Sequence, residues 1–235
     1  MNTGGLTLNH SALGAIIAAG NLCAGYAPAQ SPGYQPDAAR GAIIAAQGAA
    51  AGVPACAQCH AYNGASDGSG AFPRIAGQSA SYLAKELRDF ASGVRANAVM
   101  TPIAKALSPE DVLDVVAYYA NVNAPFLPLA NADPTLVKRG EQLATIGDAA
   151  KDLQSCDNCH GPGGAGEPPA IPYLAGQYQH YIAFQLTMWQ RGYRKNSPET
   201  MASIAKRLDA QEIAAVAAYY QQVDASVLAA TQPTK

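Results

Sequence analysis

The sequence predicts an all-α protein made of two tandem copies of one helical unit, joined by a proline-rich linker. Long segments of the first half recur in the second half in the same order, at offsets of 99 to 101 residues. The matching pairs are 40–48 with 139–147, 56–60 with 156–160, 72–95 with 171–194, and 100–122 with 201–223. Apolar residues in these segments follow helical spacing, and no segment alternates polar and apolar residues over a useful strand length.

Each unit predicts the same order of elements. A helix leads into the recurring motif at 56–60 or 156–160, and a loop rich in glycine and proline follows. The next helix of the first unit carries Leu83, Leu87 and Phe90 on one face. A loop that carries a methionine then leads to a final helix, which Ser108-Pro-Glu-Asp and Asp209-Ala-Gln-Glu open as N-terminal caps.

The repeat also predicts the domain boundaries. Residues 36–123 form the first domain and residues 135–225 form the second. The intervening residues, 124–134, contain three prolines and show no helical spacing, which predicts an extended and fairly stiff linker.

The N-terminal residues 1–29 predict a secretory signal peptide. An apolar stretch precedes Ala27-Pro28-Ala29, whose small residues fit a cleavage site near Gln30. The alternative is a short membrane anchor, but the unbroken apolar run at 12–20 is too short to span a bilayer. Cleavage would also remove Cys23, so the mature chain would keep four cysteines, all in the recurring motif.

The charge pattern argues against nucleic-acid binding. The 235 residues include 15 Lys and Arg against 17 Asp and Glu, for a net charge of −2. The sequence contains no basic tract, and we therefore expect no nucleic acid among the partners.

The recurring motif is CxxCH, once in each unit. Its members are Cys56, Cys59 and His60, and Cys156, Cys159 and His160. A structural zinc site would need both cysteine pairs, which lie 100 residues apart, and would leave the histidines without a role. A thioredoxin-like redox motif would need a βαβ setting, which the sequence lacks. Attachment of haem c uses every residue, because the thiols bond to the porphyrin and the histidine ligates the iron, so the sequence predicts two covalently bound haem c groups.

Met100 and Met201 are the predicted sixth ligands of the two irons. They follow the motif histidines by 40 and 41 residues and precede the capped final helices. Core packing is the alternative for any single methionine, but His/Met ligation is a standard arrangement for haem c. Met188 aligns with Asp89, so the repeat does not support it as a ligand, and His180 is interpreted as a surface or capping residue.

Haem propionates need polar partners, and the repeats offer matching ones. The segments 76–78 and 175–177 both read Ala-Gly-Gln, and Arg95 matches Arg194. Arginine suits carboxylates because of its forked donors, but both arginines are equally compatible with an exposed surface position.

These features resemble class I cytochrome c, and the tandem arrangement resembles the dihaem cytochrome c4 family. The resemblance covers about residues 36–223 and implies two cytochrome c domains packed face to face. It also implies that the first and last helices of each domain cross at a glycine that faces an aromatic residue. The candidate positions are Gly41 with Tyr118 or Tyr119, and Gly140 with Tyr219 or Tyr220.

The resemblance further implies a periplasmic electron carrier, free or loosely associated with the membrane. A cytochrome bc complex would be its donor and a haem–copper oxidase its acceptor. Because both irons would be closed by His and Met, we expect electron transfer rather than catalysis on a small molecule. Two alternatives stay open: the electron-accepting subunit of a dehydrogenase, such as a flavoprotein acting on sulfide, and a dihaem enzyme with one open iron.

Overall fold

The computed structural model describes Met1 and residues 33–50, 52–127, 129 and 131–223. The predicted signal segment 1–29 lies outside the described residues except for Met1. Among the described residues, no helix is both long and apolar enough to cross a membrane.

The first half contains five helices and no strand among its described residues. They are α1 (Ala38–Gln47), α2 (Ala57–His60), α3 (Ala80–Ser92), α4 (Met100–Ala106) and α5 (Pro109–Asn121). The predicted cap of the last helix is present, because the Ser108 hydroxyl accepts from the backbone N–H of Asp111 while the Asp111 carboxylate accepts from Ser108 N–H. Pro109 occupies the first helical position, where its missing N–H costs no hydrogen bond.

The second half repeats this order and adds a small hairpin. Its helices are α6 (Pro134–Thr145), α7 (Asp157–His160), α8 (Gln179–Gln190), α9 (Met201–Ala205) and α10 (Ala210–Gln222). Two strands of two residues each, β1 (Gly147–Asp148) and β2 (Leu153–Gln154), pair antiparallel. Asp209 and Glu212 form the second capping box. The all-α prediction is confirmed, and the hairpin is too short to change it.

In both halves the first helix crosses the last one at a glycine. A Cβ atom on Gly41 would collide with the backbone carbonyl of Asp114 and with Cβ of Tyr118. A Cβ atom on Gly140 would meet the carbonyl of Ala215 and Cβ of Tyr219 in the same way. The close crossing thus needs glycine, as the resemblance implied, with Tyr118 and Tyr219 as the aromatic neighbours.

An ion pair also holds the first crossing together. Asp114 is fully buried, and its carboxylate accepts hydrogen bonds from Tyr34 Oη at 2.6 Å and from the backbone N–H of Asp37 at 2.7 Å. The Arg40 guanidinium binds the same carboxylate and also that of Asp111. These contacts tie the start of α1 to the first turns of α5.

Each half has its own apolar core between these helices. The core of the first half includes Ile44, Val115, Val116 and Tyr119. The core of the second half is larger and includes Leu143, Ile182, Leu186, Trp189 and Tyr220.

The described residues of the predicted linker before Pro134 form no helix or strand, and they contact Arg74 of the first half and Gly176 of the second. Two carbonyl oxygens of the linker, on Ala124 and Pro125, accept hydrogen bonds from the buried Arg74 guanidinium at 2.6 and 3.0 Å. The Phe126 ring lies 4.0 Å from that guanidinium. Helix α6 begins at Pro134, so the predicted linker ends one residue inside this helix.

Candidate functional site

The two CxxCH motifs each form one short turn of helix. The backbone N–H of His60 donates to Cys56 O at 2.9 Å, and that of His160 donates to Cys156 O at 3.0 Å. All four motif cysteines are half-buried thiols without a disulfide partner. Each turn therefore presents two thiols and one imidazole from neighbouring positions, as attachment to one porphyrin edge requires.

The motif histidines are oriented by the loop that follows. Nδ1 of His60 lies 3.2 Å from Pro73 O, and Nδ1 of His160 lies 2.9 Å from Pro172 O. A ring N–H donated to a carbonyl assigns the proton to Nδ1 and leaves the Nε2 lone pair for a metal. Burial lowers the pKa of both imidazoles, which favours the neutral form that can act as a ligand. At His160 the Asp157 carboxylate opposes this effect of burial.

Met100 and Met201 begin short helices, whereas the sequence predicted that both lie on loops. Met100 N–H donates to Asn97 Oδ1 at 2.9 Å, and Met201 N–H donates to Ser197 Oγ at 3.3 Å. The loop prediction is wrong because side-chain oxygens upstream accept from the first helical N–H groups, so a helix can start at the methionine.

All eight predicted cofactor residues line one cavity of about 370 Å³ that extends through both halves. Its walls are mainly apolar, with Leu83, Leu87, Phe90, Ile103, Ile182 and Leu186 among them. Met188 lines this cavity as well. His180 is exposed and is not part of the wall, in agreement with the predicted surface role.

Two buried nitrogen atoms in the described residues lack a hydrogen-bond partner, Arg74 Nε and Trp189 Nε1. Both residues line the cavity. An unpaired buried donor is costly unless a bound group accepts from it. Acid groups of a cofactor in this cavity would supply such acceptors, so the donor set fits a group with an apolar ring and anionic edges.

The two halves meet through a reciprocal pair of amides. Gln177 Nε2 donates to Arg74 O at 2.9 Å, and its Oε1 accepts from Arg74 N–H at 3.0 Å. Gln78 does the same with the backbone of Tyr173, with both distances at 3.3 Å. These residues correspond at an offset of 99, so the contact relates the halves by a pseudo-two-fold axis.

Near this axis lies a cluster of polar residues at the edge of the cavity, formed by Arg95, Arg194, Glu86, Gln185 and Tyr181. The two arginines are 7% and 5% exposed, so the alternative of an exposed surface position is wrong. Both pair with the Glu86 carboxylate. The Gln185 carbonyl oxygen accepts from each arginine at 2.8 Å, and Tyr181 Oη accepts from Arg95 at 2.7 Å. We call this set the interface cluster.

Several wall residues were not predicted from the sequence. No role was predicted for three of them, Glu86, Trp189 and Arg74. A position-by-position comparison of the repeats would have marked them, because the matching positions hold different residues: Gln185, Phe90 and Tyr173. The sequence offers the Ala-Gly-Gln segments as partners of the haem propionates. In the structure, the glutamines of these segments form hydrogen bonds with the backbone of the other half. Among the described residues, no three His, Cys, Asp or Glu side chains gather as a metal site would need.

Each half of the chain matches a known protein family. The family model described as cytochrome c matches residues 38–123, and the model described as cytochrome c oxidase, cbb3-type, subunit III matches residues 147–219.

Two curated relatives cover most of the chain. A thiosulfate dehydrogenase electron acceptor of Stutzerimonas stutzeri is 39% identical over 80% of this chain and 88% of its own length. Cytochrome c4 of Pseudomonas aeruginosa is 40% identical over 77% of this chain and 91% of its own length.

Two solved structures share the fold. Reduced recombinant cytochrome c4 from Pseudomonas stutzeri matches with a TM-score of 0.71 and 32% identity, over 81% of this chain and all of that chain. Thiosulfate dehydrogenase (TsdBA) from Marichromatium purpuratum matches with a TM-score of 0.73 and 38% identity, over 83% of this chain but 42% of that one.

Proposed function

Because the chain belongs to the cytochrome c4 family of dihaem electron carriers, we propose that it transfers electrons between respiratory proteins in the periplasm. The chain carries two covalently bound haem c groups, one in each cytochrome c domain. In this proposal His60 and Met100 ligate the first iron. His160 and Met201 ligate the second iron.

The single observation that supports the proposal most is that all eight residues line one cavity. The motif thiols would anchor each haem, and the oriented histidines would present Nε2 to the iron. The methionines would close the sixth position with a neutral thioether, which favours the reduced iron. When bound, each haem supplies a one-electron couple.

The remaining wall residues protect this couple from solvent. Apolar side chains such as Leu83 and Leu186 exclude water, which leaves the ligand set fixed during electron transfer. Trp189 Nε1 and Arg74 Nε supply donors for acid groups of the cofactors. Because the cavity is continuous, an electron that enters one domain can leave from the other without crossing bulk water.

An optical titration of the purified protein tests the proposal. Two low-spin haems per chain, a sulfur-to-iron band in the oxidised form and no response to carbon monoxide are expected for two closed irons. A high-spin haem, or one that binds carbon monoxide, would instead indicate an open iron. That result would contradict the carrier function and favour an enzyme with a small-molecule substrate.

A cytochrome bc complex as donor and a haem–copper oxidase as acceptor are the partners that the family resemblance implies. Docking would be weak and brief, through a small surface near one haem edge. With a net charge of −2, long-range attraction to a partner would be modest. Pre-steady-state reduction by an isolated bc complex, followed by oxidation by an isolated oxidase, measures both steps.

A second candidate is the electron acceptor of a dehydrogenase. Relatives from Stutzerimonas stutzeri and Thiomonas intermedia are named thiosulfate dehydrogenase electron acceptors. A chain of the TsdBA structure contains a region similar to this protein in a larger polypeptide. Reduction by a thiosulfate-oxidising enzyme at a rate well above that by a bc complex would favour this candidate, and the reverse ranking would favour the first.

A further inference from the structure

A buried glutamine of the second half binds the segment that orients the motif histidine of the first half. Pro73 O, which lies 3.2 Å from Nδ1 of His60, belongs to the same planar peptide group as the N–H of Arg74. That N–H donates to Oε1 of Gln177 at 3.0 Å. One peptide group therefore connects the histidine of the first half with a side chain of the second.

The same connection exists in the opposite direction. Pro172 O lies 2.9 Å from Nδ1 of His160, and the N–H of the same peptide group, on Tyr173, donates to Oε1 of Gln78 at 3.3 Å. Docking of the halves alone would not require both glutamines to bind the peptide group that faces a motif histidine. The reciprocal arrangement therefore indicates a role for Gln78 and Gln177 at the histidines.

Both glutamines hold the proline peptide firmly. Gln78 and Gln177 are each 5% exposed. The amide nitrogen of Gln177 donates to Arg74 O at 2.9 Å, and that of Gln78 donates to Tyr173 O at 3.3 Å. Each side chain thus binds both the N–H and the C=O of the residue after the proline, which restricts rotation of the peptide group between them.

A peptide group that donates and accepts at the same time transmits the effect of one hydrogen bond to the next. An acceptor on the N–H polarises the group, so its carbonyl oxygen accepts more strongly from the histidine, and this effect is larger where water is excluded. A stronger hydrogen bond from Nδ1 fixes the orientation of the imidazole ring and raises the basicity of Nε2 as a ligand.

We propose that Gln78 and Gln177 are positioning residues that act across the contact between the domains, each on the ligand histidine of the other domain. This inference rests on the proposed ligation of the irons by His60 and His160. The effect passes through the proline peptide, so the atoms that bind each iron stay the same. Full orientation of each ligand histidine consequently requires the other domain to be docked.

Nuclear magnetic resonance of the reduced, haem-containing protein tests this inference. The Nδ1–H proton of each motif histidine gives its own signal, whose chemical shift and rate of exchange with D2O report the hydrogen bond to the proline carbonyl. Gln177→Leu removes the amide at similar side-chain size. We expect the His60 signal to move upfield and to exchange about fivefold faster, as loss of one hydrogen bond typically produces. The His160 signal should stay in place.

Three further variants separate this role from docking alone. Gln78→Leu should move the signal of the second histidine instead, and by less, because its hydrogen bonds are longer. Gln177→Glu keeps an oxygen acceptor at the same length and should restore the signal of the first histidine. Asn196→Ala is the matched control: this amide also bonds across the contact, to Glu86 and Asp89, and its partners among the described residues include neither proline peptide. It should move neither signal.

The inference would be overturned by an unchanged His60 signal in Gln177→Leu, by equal shifts of both signals, or by a shift as large in Asn196→Ala. If Gln177→Leu does not fold, the comparison of Gln78→Leu with Asn196→Ala decides the same question at His160. Failure of the proposed ligation looks different, because the ring protons of the histidines in the unmodified protein would then lack the ring-current shifts that a bound porphyrin imposes.

Discussion

Replacing Glu86 by Gln tests whether the interface cluster stabilises the packing of the two domains. Glu86 is the carboxylate that both Arg95 and Arg194 share, and the three side chains are only 5 to 8% exposed. Asn196 also donates to both oxygens of this carboxylate at 3.0 Å. The change leaves two buried guanidinium groups facing each other without their shared anion.

The structure gives the expected magnitude. Removing one partner of a buried ion pair typically costs about 3 kcal/mol or more, because the remaining charge stays buried. For a chain of 235 residues this corresponds to a fall in Tm of about 6–12 °C. The assay is thermal unfolding of the haem-containing protein, followed by the absorbance of the haem and by far-UV circular dichroism.

Asp152→Asn provides the comparison. It also replaces a carboxylate that binds an arginine, Arg207 at 2.9 Å, but that pair lies at the surface. An exposed pair contributes about 0–1 kcal/mol, so Tm should change by a few degrees at most. Equal effects of Glu86→Gln and Asp152→Asn would refute the reasoning, since burial would then not decide the strength of the cluster.

Three further predictions concern the ligands, the helix crossing and the pH dependence. Met201→Ala should open the second iron to carbon monoxide, whereas Met188→Ala should not, and the reverse result in an optical titration would assign Met188 as the ligand. Gly140→Ala should destabilise the second domain by about 2 kcal/mol or more, because its Cβ collides with the Ala215 carbonyl; an unchanged denaturation midpoint would show that α6 can move away from α10. Burial alone would raise the pKa of Asp114, but hydrogen bonds from Asp37, Tyr34 and Arg40 outweigh it and hold the pKa below its usual value. Stability from Asp114 is therefore present above about pH 4 and lost as the pH falls through the lowered pKa, and Asp114→Asn should weaken the acid dependence of the unfolding free energy.

Much of the fold follows from the sequence because duplication displays the same signals twice. The helix caps depend on local chemistry, and they occur at Ser108 and again at Asp209. The helix crossings depend on one close contact at a glycine, Gly41 in the first half and Gly140 in the second. The starts of α4 and α9 were harder to predict. They depend on oxygens of Asn97 and of Ser197, residues that do not stand out in the sequence.

The sequence predicts some parts of the candidate site better than others. The ligands and thiols stand out because CxxCH and the repeated methionine have few other uses. The polar wall depends on contacts between residues about 100 positions apart, such as Gln177 with Arg74, and no local pattern encodes them. Comparison of the repeats identifies the positions where the halves differ, but the structural role of those residues is seen only from their contacts.

The pseudo-two-fold axis explains why these differences matter. At such an axis residues meet their own counterparts, so Arg95 and Arg194 come together as like charges. A strict duplication would supply two carboxylates, but the chain has Glu86 on one side and the neutral Gln185 on the other. Both arginines still find an acceptor in Gln185, at 2.8 Å each, yet the interface cluster keeps one positive charge in excess. A buried excess charge is costly unless an anion balances it, and acid groups of cofactors bound in the adjoining cavity would supply that anion. Divergence of the repeats at Glu86 and Gln185 thus leaves room for cofactor charge at the axis.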